Sequence, residues 1–446
     1  LRGVAVGTAI ASGRGRVIKN PKRISDFKAG EILVTEITDP DWEPIMKIAA
    51  AIVTDKGGRT SHAAIVSREL GIPCIVGTGQ ATRRLKSGQE VTVDCSSGKS
   101  GLVYAGNLPF DKITHRLDQI PPIKTRVMVN IGSPDEAFKN HYLPVAGVGL
   151  GRLEFIINSY IKIHPRALLD YPQLKNSSEK SDRQLAEKIE GLTKEHDDKR
   201  LYYINELAEG VAKIAAAFFP RPVIIRFSDF KTNEYRTLIG GDRYEPAEEN
   251  PMLGWRGASR YYHPDFSAAF TLECLALKKV RQEIGLKNVI PMIPFCRTVD
   301  EGEKVLKILA ANGLDRATDS ELKIYMMAEI PSNIIEADKF LDHFDGFSIG
   351  SNDLTQLTLG LDRDSSLVAN IANENHPAVK KLIGDLVAVC RARNKYIGLC
   401  GQAPSDYPDF TEFLIRAGIE SLSLSPDAVI KNIGLISQLE NQIGQP

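Results

Sequence analysis

The sequence is short of the features that mark membrane, nucleic-acid and secreted proteins. No apolar run approaches the roughly 18 residues needed to span a bilayer. Neither charge sign is in excess, with 56 basic residues against 56 acidic ones. Wholesale binding to nucleic acid or a membrane surface is therefore not expected, and only a local basic site stays open. The six cysteines (Cys74, Cys95, Cys274, Cys296, Cys390 and Cys400) show no CxxC spacing, the usage of reduced thiols. No signal-peptide pattern is read at the N-terminus, so a cytoplasmic location is expected. Two apparent phosphate motifs also fail. Ser97-Gly98-Lys99-Ser100 ends like a phosphate loop, but Val93 stands where its first glycine belongs. Gly147–Gly151 lacks the ribose-binding acid at the required distance.

What is present is an ordinary globular composition, 43% hydrophobic and 25% charged, over 446 residues. That length implies two or three domains. Residues 1–108 hold short β-prone runs at Gly15–Ile18, Glu31–Val34, Ala51–Thr54, Cys74–Val76 and Glu90–Asp94. A helix after His62, and a second over Asp41–Ile48, complete a compact β/α domain. Residues 109–122 are expected as a proline-punctuated helical linker. In 123–446 eight apolar runs are predicted as strands: Thr125–Asn130, Gly147–Leu150, Val223–Arg226, Val289–Ile293, Lys323–Ala328, Gly346–Ile349, Tyr396–Cys400 and Ser421–Leu424. Each is followed by enough chain for a helix, the tally of a (β/α)8 TIM-type barrel. Ser181–Ala217 reads as one long charged helix. The fold class is α/β.

Two constellations carry chemistry. Gly57 and Gly58 precede Arg59, Thr60, Ser61 and His62, then an apolar helical face of Ala63, Ala64, Ile65, Val66 and Leu70, closed by Gly71 and Pro73. Thr60 or Ser61 suits the cap. His62 falls in the first turn, where free amides and the helix dipole favour a phosphate on its ring. A lone histidine there is ordinarily a surface or capping residue; the surrounding glycines, hydroxyls and arginine suit an anion. The second constellation lies at the C-terminal ends of the barrel strands, where barrel chemistry gathers. Arg152 follows strand two, Arg226 closes strand three, Arg297 follows strand four and Glu329 follows strand five. Gly350, Ser351, Asn352 and Asp353 follow strand six, and Cys400 closes strand seven. Arginine forks hold phosphate and carboxylate, paired carboxylates can hold Mg²⁺, and a thiol can exchange a proton with carbon.

Gly57–Gly77, Gly149–Phe155, Glu249–Gly257, Ile349–Gln356 and Leu399–Gln402 resemble the phosphoenolpyruvate-utilising enzyme family over nearly the whole chain. Within it, Ile225–Tyr235, Gly240–Pro246 and Ala328–Asn333 look most like the branch that makes phosphoenolpyruvate from pyruvate, ATP and water. The resemblance implies a swivelling phosphohistidine domain followed by the barrel. It implies His62 as phosphocarrier and Cys400 as acid/base at the pyruvate methyl. Glu329 and Asp353 would hold Mg²⁺ and join Arg152, Arg226, Gly350, Ser351 and Asn352 in contacting pyruvate or phosphoenolpyruvate. Thr60 matches a threonine that regulatory kinases modify, and a homodimer through barrel helices is implied. The chain opens at Leu1 as if cut from something longer. An ATP-binding domain is expected before Gly3, so ATP would act only through that missing part. The alternatives are the pyrophosphate-forming dikinase branch, the branch that passes phosphate to a sugar-transport carrier protein, and a non-catalytic metabolite sensor.

Overall fold

The computed structural model describes residues 1–7, 9–20, 25–58, 61–96, 100–111, 116–361, 371, 373–401 and 403–443. The chain divides into two compact units, Leu1–Thr114 and His115–Pro446. In the first, seven strands close a mixed barrel: β1 (Arg2–Val6), β2 (Ile10–Val17), β3 (Ile32–Thr35), β4 (Ala51–Thr54), β5 (Cys74–Val76), β6 (Glu90–Asp94) and β7 (Ser100–Ala105), in the order β1-β5-β4-β3-β2-β6-β7. Strands β2 to β5 run parallel, and β1 is antiparallel to both β5 and β7. β1 and β7 are absent from the sequence-based expectation because Gly3 and Gly101 weaken their β character. Both glycines are needed where they stand. A Cβ on Gly3 would come within 2.7 Å of Ile75, and one on Gly101 within 2.5 Å of the same side chain. The Asp41–Ile48 helix is shorter than expected, a 3-10 turn at Pro40–Trp42 leading into Glu43–Met46.

The second unit is a closed parallel barrel. Its strands are β8 (Arg126–Ile131), β9 (Val148–Arg152), β10 (Val223–Arg226), β11 (Val289–Ile293), β12 (Tyr325–Ala328), β13 (Gly346–Ile349), β14 (Tyr396–Leu399) and β15 (Ser421–Leu424), with β15 pairing β8. All eight expected strands are present. They are legible because strands packed on both faces read as continuous apolar runs. Met128, Leu150, Ile224, Met292, Tyr325 and Met327 fill the interior beneath Cys400.

Two helical expectations need correction. The described part of 109–122 contains a 3-10 turn at Leu117–Gln119 and no α-helix, as its prolines dictate. The expected long helix is two, Lys180–Leu192 and Lys199–Phe218. Side-chain bonds to the backbone break it: Thr193 Oγ1 returns to the Ile189 carbonyl at 2.8 Å, and Asp198 caps the next helix by accepting from the Arg200 N–H at 2.9 Å. Among the described residues, no helix is long and apolar enough to cross a membrane. All six cysteines are buried, and none forms a disulfide among the described residues.

Candidate functional site

In the first unit, His62 is half-buried at the start of the helix His62–Leu70. Ala63, Ala64 and Val66 bury against Trp42, Ile45 and Met46, which fixes the face the helix turns inward. Gly71, at φ +69°, ends it. Thr38 Oγ1 lies 3.0 Å from His62 Nδ1, so the ring is oriented by a contact from the β3–β4 connection. The Ser61 hydroxyl donates to the Gly58 carbonyl at 2.9 Å. A Cβ on Gly57 would lie 2.8 Å from that hydroxyl, so this turn requires glycine there. Thr60, with Arg59, lies outside the described residues.

In the second unit the strand ends surround a cavity of about 540 Å³. Arg152, Arg226, Glu329, Gly350, Ser351, Asn352, Asp353 and Cys400 all line it. Arg152 and Arg226 are the last residues of β9 and β10. Arg226 is held by Glu154 Oε1 at 2.7 Å and touches Met327 Sδ at 3.6 Å. Glu329 follows β12, and its Oε1 accepts the Phe295 N–H at 2.8 Å. Gly350 must be glycine for Glu329 to sit there, since a Cβ would fall 2.8 Å from the Glu329 carboxylate. Ser351 donates its hydroxyl to Glu374, while Asn352 is exposed at the rim. Cys400 is 5% exposed, its Sγ 3.5 Å from the Ile349 carbonyl.

The electrostatics divide these groups. Burial pushes the Glu329 carboxyl up to about 8, and the charges of Asp353 and Asp229 add to it. Burial also raises the Cys400 thiol above its usual value, against the pull of Ser348, Arg152 and Arg226, so the sulfur carries its proton at neutral pH. Arg226 stays charged: burial disfavours that form, but Glu154, Asp229 and Glu329 outweigh it.

Glu329, whose carboxyl burial and then the charge of Asp353 push up, and Asp353, which also pairs with Arg256, bring two carboxylates to the same cavity. Among the described residues no group of three or more His, Cys, Asp or Glu is arranged to hold a metal. Of the cavity's carboxylates, Glu329 and Asp353 are the pair that could hold Mg²⁺, which binds through one or two carboxylates and takes its remaining ligands from substrate and water.

Residues 27–98 match the family model described as "PEP-utilising enzyme, mobile domain", and 112–441 match "PEP-utilising enzyme, PEP-binding domain". The chain belongs to the phosphoenolpyruvate-utilising enzyme family. Similar relatives include the phosphoenolpyruvate synthases of Aquifex aeolicus (52% identical, 100% of this chain and 56% of the relative), Synechocystis sp. (53%, covering 99% and 53%) and Escherichia coli (50%, covering 98% and 54%). The chain thus spans about half the length of the curated relatives it matches.

In this member of the phosphoenolpyruvate-utilising family, Arg297 is not part of the mouth. It donates to the Leu253 and Gly254 carbonyls at 3.3 and 2.5 Å and to Ser259 at 3.1 Å, so it pins the 253–259 loop. Arg256 occupies the inner position. Buried over the Phe295 ring, it forks onto both Asp229 oxygens at 3.0 and 2.5 Å and reaches Asp353 Oδ1 at 3.0 Å. Glu154, Asp229 and Arg256 line the cavity but were not singled out from strand ends, because they lie beyond them in loops and a helix turn. Arg256 stands inside Glu249–Gly257, a segment recognised only by resemblance.

Proposed function

We propose that this chain carries the pyruvate half of a phosphoenolpyruvate synthase reaction, in which a phosphoryl group passes between phosphoenolpyruvate and His62. In the whole enzyme the sum would be ATP, pyruvate and water to AMP, phosphoenolpyruvate and phosphate, with ATP entering through a domain outside these residues. The observation that carries the reading is one cavity lined together by Arg152, Arg226, Glu329, Asp353 and Cys400.

In the direction from phosphoenolpyruvate, Arg152 and Arg226 hold the carboxylate and phosphate. With Nδ1 engaged by Thr38, Nε2 of His62 attacks phosphorus. The bond from phosphorus to the enol oxygen breaks, and its electron pair stays on that oxygen. Cys400 then gives its proton to the methylene carbon, forming pyruvate, and the thiolate is reprotonated from water. In synthesis the steps reverse: Cys400 gives its proton to water, the thiolate so formed removes a methyl proton, and the enolate oxygen takes the phosphoryl group from His62. Mg²⁺ held by Glu329 and Asp353 would supply positive charge beside the enolate oxygen.

Mixing the chain with excess phosphoenolpyruvate and Mg²⁺ should release about one equivalent of pyruvate per chain and then stop, with no release from His62→Ala. Binding without any pyruvate release would instead support a metabolite sensor. Among family branches, the full-length protein's product decides: phosphate for a synthase, pyrophosphate for a dikinase, a phosphorylated carrier protein for the sugar-transport branch. A homodimer, a cytoplasmic setting and a regulatory kinase acting on Thr60 belong to the same proposal, supported by the resemblance alone. Phosphate on Thr60 would place negative charge two residues from His62 and so oppose its phosphorylation.

A further inference from the structure

Glu273 lies on the helix Ser267–Lys278, which returns along the barrel after β10, and is 0% exposed. Both its oxygens meet one residue. The Ser228 N–H donates to Oε2 at 3.1 Å, and the Ser228 hydroxyl to Oε1 at 2.5 Å. The Ser228 carbonyl accepts from the Tyr261 hydroxyl at 2.7 Å, and the Ser228 hydroxyl lies 2.9 Å from that of Tyr235. Side chains from three helices therefore fix every polar group of Ser228. Among the described residues no cation is paired with Glu273, so burying it is costly for a role that packing alone would not require.

Ser228 is the pivot between two cavity residues. Arg226 precedes it by two positions. Asp229 follows it, donates its N–H to Glu154 Oε1 at 2.7 Å and holds Arg256 with both oxygens. We propose that Glu273 is a positioning residue for the phosphoryl-transfer site: by clamping both donors of Ser228 it sets the direction in which Arg226 and Asp229 face the cavity, without touching the ligand. Its kinetic consequence rests on the function proposed above; the clamp itself does not.

Burial pushes the Glu273 carboxyl up to about 7, opposed by the Ser228 hydrogen bonds, raised by the charge of Glu154 and lowered by Arg260. The other titratable groups facing it are Tyr203, Tyr235 and Tyr261, with Cys274 beside it on its own helix. A protonated carboxyl has less acceptor capacity for the two Ser228 donors, so the clamp is firmest above that value.

The test is Glu273→Gln, which keeps the volume but turns one acceptor into a donor. Two readouts separate this proposal from the assigned reaction. In arginine-labelled protein, the Arg256 Nε–H resonance, identified by its loss in Arg256→Lys, should shift and exchange faster in Glu273→Gln. In single-turnover pyruvate release, the rate should fall at least tenfold while the half-saturating phosphoenolpyruvate concentration moves less than threefold. The rise of the wild-type rate through neutral pH should also flatten. An unchanged Arg256 resonance overturns the proposal whether or not the protein releases pyruvate. So does a variant that melts lower but turns over at the wild-type rate with the wild-type pH profile. Wild-type protein that releases no pyruvate, with the resonance shifted in the variant, overturns the assigned reaction and leaves the clamp supported.

Discussion

Cys400 is an ordinary side chain to which the proposed reaction gives a task because of its position. Just after β14 in the cavity that Arg152 and Arg226 also line, its burial raises the thiol's pKa, and the proposed reaction would have it give a proton to carbon. Cys400→Ala should lower exchange of pyruvate methyl protons with deuterated water by about 10²-fold or more, the usual worth of a positioned acid/base. Calorimetric affinity for oxalate, a dianion shaped like the pyruvate enolate, should change little; loss of oxalate binding would mean that the thiol holds the ligand. Glu273 gives a pH-dependent prediction on stability. Its folded carboxyl sits near 7, above the usual 4.5, so its contribution is complete below the lower value and lost as pH rises through the higher one. The stability of Glu273→Gln relative to wild type should therefore improve between pH 5 and 8, by roughly 1.4 kcal/mol per unit of pKa shift. Denaturant melts showing a constant difference would contradict the assignment. The strand-end residues were legible because barrel topology says where to look. Asp229, Arg256 and Glu273 were not, since a buried partner of a site residue has no periodicity to betray it.

Elements set the distances that these residues need. Gly350, just after β13, sits against Glu329, and Gly350→Ala would drive a methyl group into that carboxylate. The variant should fold, because only the Glu329 and Met327 side chains must yield, but its Mg²⁺-dependent pyruvate release should fall at least tenfold. Activity restored by excess Mg²⁺ would agree with a displaced carboxylate, whereas unchanged activity would contradict the contact. Behind the mouth, Glu245 joins Arg260 at 2.8 Å and His164 at 2.9 Å in a wholly buried knot beneath the loop that carries Arg256. Burial lowers the His164 pKa, so it stays neutral in the folded protein. Strands were read well where both faces are packed. β1 and β7 escaped because tight packing against Ile75 demands glycine, the residue that weakens a strand signal. The break between Lys180–Leu192 and Lys199–Phe218 escaped because hydroxyl and carboxylate side chains compete with the helix only through specific hydrogen bonds.

At the scale of the molecule, the proposed chemistry would be divided between two units. His62, oriented by Thr38, belongs to the first, and the cavity ending at Cys400 belongs to the second. Neither completes the reaction alone, so the proposed transfer requires the two to meet. The division was legible as a change from glycine-rich short strands to alternating strands and helices. ATP as the source of the phosphoryl group rests on the resemblance alone, since the chain spans only about half the length of its relatives. The most direct measurement is to incubate the chain with phosphoenolpyruvate labelled in its phosphoryl group, together with Mg²⁺, and to locate the label. The account predicts one acid-labile, base-stable phosphoryl group on His62, absent from His62→Ala and chased off by unlabelled pyruvate. No protein-bound label, or label that persists in His62→Ala, would contradict it.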